Sequence, residues 1–125
     1  YSSAASDVYK RQADVFAYYK GLIQLRKHHP AFRLGDAGLV RKHLEFLPAE
    51  GGNVVAYRLK EHAGGDAWGD IYVVLNARKE TAKVSVPEGK YTVVCKDGFI
   101  SEKGLGTMYG PEISVPAQSA LIFYK

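Results

Sequence analysis

Tyr18-Tyr19-Lys20-Gly21-Leu22-Ile23-Gln24-Leu25-Arg26-Lys27-His28-His29-Pro30-Ala31-Phe32 is the stretch that decides how this chain is read. It spells one amphipathic helix that stops at a His-Pro step, because Pro30 pushes His29 away from helical geometry. Val15, Tyr19, Leu22 and Arg26 follow one helical row, and Phe16, Ile23 and Leu25 widen the apolar stripe. Asp14 stands just before the first apolar residue and suits an N-cap, so the helix is expected to begin there. Gly21 in mid-helix costs about 1 kcal/mol against alanine. Close approach by a neighbouring element that leaves no room for a Cβ would explain it. Apolar side chains surround most of this helix, and everything after it reads as short strands. One such helix needs more partners than the rest of the chain offers, which implies a piece of something larger.

Working outward, Leu34-Gly35-Asp36-Ala37-Gly38 reads as a turn, after which the period changes to 2. Strands are expected at Leu39 to Leu47, Val54 to Glu61, Ile71 to Asn76, Thr81 to Val86, Tyr91 to Cys95, Glu112 to Val115 and Ala120 to Tyr124. Val55, Tyr57 and Leu59 share one face of the second strand. Ile71 to Asn76 is continuously apolar, as for the middle of a sheet. Val84 and Val86 point inward. The turns fall at Pro48 to Asn53, at His62 to Asp70 with its three glycines, at Lys96-Asp97-Gly98 and at Pro116 to Ser119. Strands of this length and spacing indicate a mainly β fold, an antiparallel β-sandwich preceded by one α-helix.

Composition excludes little but bounds the answer. At 125 residues the chain is one domain with an appended element. It can bury about two-thirds of its unfolded surface without staples. The single cysteine, Cys95, permits no internal disulfide and reads as a buried core thiol. No apolar run reaches the roughly 18 residues of a membrane span, so no membrane partner is expected. The net charge of +4 is mild and its basic residues are dispersed. They read as solvated surface and helix-end charge rather than a nucleic-acid patch. Residues 1–12, YSSAASDVYKRQ, have no apolar period and resemble a translated sequencing adapter. They are expected to be a non-native tail.

Other signals have a plain reading beside a sharper one. Trp68, the only tryptophan, sits in the glycine-rich loop. It is either a loop aromatic folded back on the sandwich or a domain-interface residue, or a platform for a sugar ring. Asp66 and Asp70 do not fit the EF-hand spacing and read as solvated hairpin charges. His28 and His29 are adjacent on the helix and point apart, so they form no metal pair; His29 reads as a C-terminal cap. No phosphate-cradling glycine loop and no Gly-x-Ser-x-Gly setting occurs. No cofactor and no metal ligand is expected.

These residues together resemble a family. VFAYYKGLIQLRKHHPAFR resembles the last helix of the (β/α)8 catalytic barrel in the alpha-amylase superfamily of glycoside hydrolases, and its form is most similar to type I pullulanases. IYVVLNARKETAKVSVPEGKYTVVCKDG is similar to the strand–Asn–strand–Pro-x-Gly run of that superfamily's C-terminal β-sandwich, and VPAQSALIFYK to its closing strand. The resemblance covers Asp14 to Lys125. It implies three segments: the tail at 1–12, the last helix of a truncated barrel at 13–33 and the C-terminal β-sandwich at 34–125.

What the resemblance implies about chemistry is indirect. Such enzymes hydrolyse α-glycosidic bonds with retention, using a carboxylate nucleophile and a carboxyl general acid/base. Those groups sit in barrel loops upstream of the final helix. None of the 13 Asp and Glu residues here stands in a matching motif, so no catalytic residue is carried over and the chain alone should be inactive. The implied parent is a debranching enzyme acting on α-1,6 links in pullulan, glycogen or branched starch. The implied partners are its catalytic barrel in cis and the parent's α-glucan. Tyr19, Leu22, Phe32 and Leu34 are the expected barrel-docking residues. Three alternatives stand beside this: the same domain from an α-amylase or branching enzyme, a free-standing carbohydrate-binding sandwich using Trp68, and a small basic nucleic-acid binder.

Overall fold

The computed structural model describes the backbone of residues 2–49 and 52–125, and within them the side chains of all but 2–8 and 11. Tyr1, Glu50 and Gly51 lie outside the described residues, and with them part of the expected turn at Pro48 to Asn53.

The leading helix, α1, spans Ser2–His28 and is longer than expected. Asp14 therefore lies inside it rather than capping it. The preceding residues hold no proline or glycine, so nothing in them stops the helix. Pro30 ends it as expected and opens a 3-10 turn, Pro30–Arg33. Arg33 then folds back: Nε donates to Arg26 O at 2.8 Å and Nη2 to Lys27 O at 3.3 Å. The guanidinium thus satisfies two carbonyls that the helix end leaves unpaired.

The first expected strand is partly helical. A short helix, α2, spans Ala37–His43. Asp36 caps it, its side chain accepting from Gly38 N at 2.6 Å. A capping side chain followed by Leu39 and Val40 outweighed their β propensity, and only Leu44–Phe46 remains as strand β1. The other strands are β2 Val54–Leu59, β3 Ile71–Asn76, β4 Ala82–Ser85, β5 Lys90–Lys96, β6 Phe99–Ile100, β7 Gly106–Tyr109, β8 Glu112–Val115 and β9 Ser119–Tyr124. β6 and β7 were not expected from the sequence.

Among the described residues these strands form two antiparallel sheets. The large one runs β1-β2-β3-β9-β5-β6, with β7 also pairing β5; β4 and β8 form the small one. The continuous apolar run of β3 does lie inside the large sheet, between β2 and β9. The alternation of β4 buries Ala82 and Val84 and exposes Lys83 and Ser85, as a one-sided strand requires. Lys96-Asp97-Gly98 turns β5 into β6 with positive φ at Asp97 and Gly98, the conformation a tight hairpin needs.

Two cores follow from the two faces of the large sheet. On one face Tyr72, Val74, Tyr91, Leu121 and Phe123 meet Val84, Val86, Ile113 and Val115 of the β4/β8 side. Tyr72 and Phe123 lie parallel with ring centres 5.0 Å apart, and Tyr91 meets both edge-on. Asn76 ties off this core. Buried at the end of β3, it donates to Glu80 O, Val115 O and Pro116 O and accepts from Arg78 N. On the other face Leu25 of α1 and Ala31 pack on Leu59, Ile71, Val73, Val94, Cys95 and Ile122. A register shift between Val93 and Cys95 opposite β9 is the bulge that brings both Val94 and Cys95 to this side. The architecture is thus helix, large sheet, small sheet, and α1 packs on the chain's own sheet.

Candidate functional site

The site worth building is the junction where α1 ends on the sheet. His29 takes an extended backbone before Pro30, so its ring leaves the helix direction and turns inward. Its N–H still donates to Leu25 O at 3.0 Å, closing the last helical turn. The imidazole is buried, with Nδ1 2.9 Å from Asp66 Oδ1. A carboxylate only accepts, so Nδ1 carries the proton. Asp66 also accepts from Ala31 N at 3.2 Å and Trp68 N at 3.0 Å. Far from a solvated hairpin charge, Asp66 is 3% exposed and fully engaged. His29 stands at the C-cap position as expected, and the side chain that covers the last free carbonyls is that of Arg33.

Ring stacking completes the junction. The His29 ring lies 3.6 Å from the Trp68 ring, and Trp68 lies 4.1 Å from Tyr124 at 4°. Both faces of the indole are therefore covered within the chain, and neither is open to a sugar ring. Glu102 joins from the β6–β7 loop, with Oε1 2.7 Å from His28 Nδ1 and Oε2 3.4 Å from His29 Nε2. Among the described residues no hydroxyl or thiol bonds to His29. The His29–Asp66 pair has no nucleophile to activate, and its geometry holds a helix end. Among the described residues no group of three or more His, Cys, Asp or Glu could hold a metal ion, and no helix is long and apolar enough to cross a membrane.

The expected docking residues divide. Leu22, Phe32 and Leu34 are half-buried, and Phe32 and Leu34 pack against the helix-side core. Tyr19 faces outward, 62% exposed, with Val15, Phe16 and Ile23 exposed beside it. α1 is thus two-faced: Tyr18, Leu22 and Leu25 turn toward the sheet, and Phe16, Tyr19 and Ile23 turn away. Gly21 has the close neighbour its position implied. A Cβ there would lie 3.0 Å from Ile100 Cβ, so the element that approaches is β6 of this chain.

Titration adds a property of the inner face. Burial, with Cys95 nearby, pushes the Tyr18 phenol up to about 12; its oxygen lies 3.8 Å from Cys95 Sγ. Burial also pushes up Tyr57 and the Cys95 thiol on this face, and Tyr91 in the core on the other face of the sheet. The folded chain holds these protons more tightly than the unfolded chain does. The tyrosine contribution is therefore intact below the ordinary phenol range and falls as pH rises from about 10 toward about 12, and the Cys95 contribution begins to fall from the lower thiol range. Tyr18→Phe should flatten that fall in melts taken at pH 8, 10 and 11. An unchanged pH slope would show that the Tyr18 hydroxyl is not held out of water against the sheet.

Comparison with known proteins bears on this arrangement directly. Residues 40–98, from the end of α2 into the β5–β6 turn, match the family model described as "Pullulanase, all-beta domain". The chain carries the all-beta domain of the pullulanases. It is 38% identical over 86 residues to the pullulanase of Bacillus subtilis (strain 168), an alignment covering 68% of this chain and 12% of that protein. The solved pullulanase from Bacillus acidopullulyticus matches 90% of the chain at 39% identity and a TM-score of 0.85, over 14% of its own length. Pullulanase type I from Bacillus subtilis str. 168, complexed with maltose, matches 86% at 31% identity and 0.75, over 15%. The chain therefore spans about an eighth to a seventh of the length of these relatives. The first structural match covers more residues than follow the 3-10 turn, so it includes part of α1.

Pullulanases are larger proteins in which this all-beta domain is one part. Sequence reasoning missed Asp66 and Glu102 as partners of His29. A Pro directly after a His at a helix end was the available signal, since it turns the ring off the helix. The second signal was an Asp two residues before the sole Trp, inside a loop too glycine-rich to hold itself.

Proposed function

We propose that this chain is the non-catalytic C-terminal part of a debranching glycoside hydrolase, one that hydrolyses α-1,6-glucosidic links in pullulan, glycogen or branched starch. The observation that carries the reading is the two-faced helix α1, fixed on its own sheet by one side and bare on the other. In this reading residues 13–33 are the last helix of a catalytic (β/α)8 barrel and 34–125 the sandwich domain. Residues 1–12 are a non-native tail. Tyr19 docks on the rest of the barrel, while Leu22, Phe32 and Leu34 hold the helix to the sandwich. The clamp of His29, Asp66, Trp68 and Tyr124 fixes the angle at which the outer face is offered. Its job is to complete the barrel and shield it from water, with the α-glucan bound by the rest of the protein. The pullulanase matches favour this over an α-amylase or branching enzyme.

A chimera tests it: the pullulanase from Bacillus acidopullulyticus with this chain in place of its matching segment. Tyr19→Ala should lower the chimera's stability by about 2–3 kcal/mol, the cost of removing a covered aromatic. KM for pullulan should stay within about twofold, because uniform loss of stability leaves substrate contacts intact. Unchanged stability in Tyr19→Ala would remove the docking reading.

A further inference from the structure

The outer helix face is not the end of the bare surface. α1 lies toward the β5–β6 side of the sheet, where Gly21 meets Ile100 and Tyr18 meets Cys95. At the other side α2 and the 3-10 turn stand over the β1–β2 edge. Between them an apolar groove opens along the sheet. It consists of two adjoining hollows of about 350 Å3 and 440 Å3, which share Phe32 and Tyr57. Val55 and Leu75, paired across β2 and β3, stand at its mouth about half exposed. Leu22 and Arg26 form its lip on α1. Val15, Tyr19, Leu22 and Arg26 lie in one helical row, so the outer face and the groove are one continuous surface.

We infer that this groove is a second docking surface in cis, filled by an apolar segment of the pullulanase chain beyond the stretch this one spans, with a carboxylate placed to meet Arg26. The inference rests on the proposed barrel docking and extends it over the shoulder of the helix. Two observations choose the occupant. The relatives are about six times as long as this chain, so a large body is available to cover the surface. The charge at the lip is also uncompensated: among the described residues Arg26 has no carboxylate partner, although Glu45, Glu80, Glu102 and Glu112 all engage cations or histidines elsewhere. An apolar groove with one unanswered guanidinium at its edge fits a hydrophobic segment bearing one Asp or Glu.

The test uses Leu75→Lys and, as a milder change, Leu75→Ala, each in the chimera and in the free 125-residue chain. In the free chain Leu75 is already about half exposed, so both variants should leave Tm within about 3 °C. In the chimera Leu75→Lys should lower Tm by about 5 °C or more, and Leu75→Ala by a smaller amount in the same direction. Arg26→Glu should add a loss there that 1 M salt reduces. Equal Tm for the parent and both Leu75 variants in the chimera would overturn the inference. So would a concentration-dependent dimer of the free chain that Leu75→Lys dissolves while the chimera is unaffected, because the occupant would then be a second copy. If Tyr19→Ala destabilises the chimera and Leu75→Lys does not, the groove falls alone. If neither does, the barrel-docking reading falls with it.

Discussion

Asp66→Ala should cost this chain about 3–5 kcal/mol, the largest loss expected from any single polar substitution in it. The carboxylate is 3% exposed and accepts three hydrogen bonds, from His29, Ala31 and Trp68. Removing it leaves three donors without a partner, those of His29 and Ala31 buried and that of Trp68 partly buried, each buried one at about 1–3 kcal/mol before the loop relaxes. Asp66→Asn keeps one acceptor oxygen and should recover about half of the loss. Trp68 reports the event locally. It is the chain's only tryptophan and lies stacked between His29 and Tyr124, so its emission should shift red as the stack opens. Thermal melts of both variants, followed by Trp68 fluorescence, check this. A loss under about 1 kcal/mol in Asp66→Ala would mean that the junction is held by apolar contact alone.

Leu25→Ala is the second large effect, with an expected cost of about 3 kcal/mol. Leu25 is 2% exposed and is the helix residue most deeply set in the core on that face of the sheet. Leu→Ala changes at such sites cost about 2–5 kcal/mol, according to how far the cavity can collapse. The variant distinguishes a helix that belongs to this domain from one that leans on it. If α1 and the sheet form one unit, amide exchange in α1 and in β3 should accelerate together. If only α1 accelerates, the helix is an appendage and the clamp does not couple it to the sheet. Ile23→Ala on the outer face of the same turn is the control. It should change the free chain by less than about 0.5 kcal/mol, because Ile23 is already exposed.

Much of this fold could be read from residue order, and the rest has identifiable reasons for staying hidden. β3 was legible because a continuous apolar run has no other home than inside a sheet. β4 and Val86 were legible because one face is buried and the side-chain period is 2. Gly21 predicted a close neighbour, and Ile100 is that neighbour. β6 and β7 were not legible: one has two residues, and the other carries mostly exposed side chains at a sheet edge. Their pairing with β5 comes from the Asp97-Gly98 turn and backbone hydrogen bonds, not from side-chain pattern. At 39–43 the helix won because Asp36 supplied a cap that a period count does not weigh. The junction was hidden for a different reason. His29 and Asp66 are 37 residues apart, and nothing local in either segment reports the other. Taken alone His29 looked like a helix cap and Asp66 like a solvated charge; together they form a buried polar pair.

The two faces of α1 carry the account, and one labelling experiment separates them. Phe16→Cys places a thiol on the outer face, where Phe16 is 70% exposed, while the native thiol of Cys95 is 1% exposed and contributes little background. In the free chain a maleimide should label position 16 at the rate of an exposed thiol. In the folded, active chimera with the Bacillus acidopullulyticus pullulanase, labelling should slow by about 100-fold, since a covered thiol reacts only through opening. Labelling in the active chimera at the rate of the free chain would leave the outer face in water and contradict the docking of α1 on the rest of the enzyme.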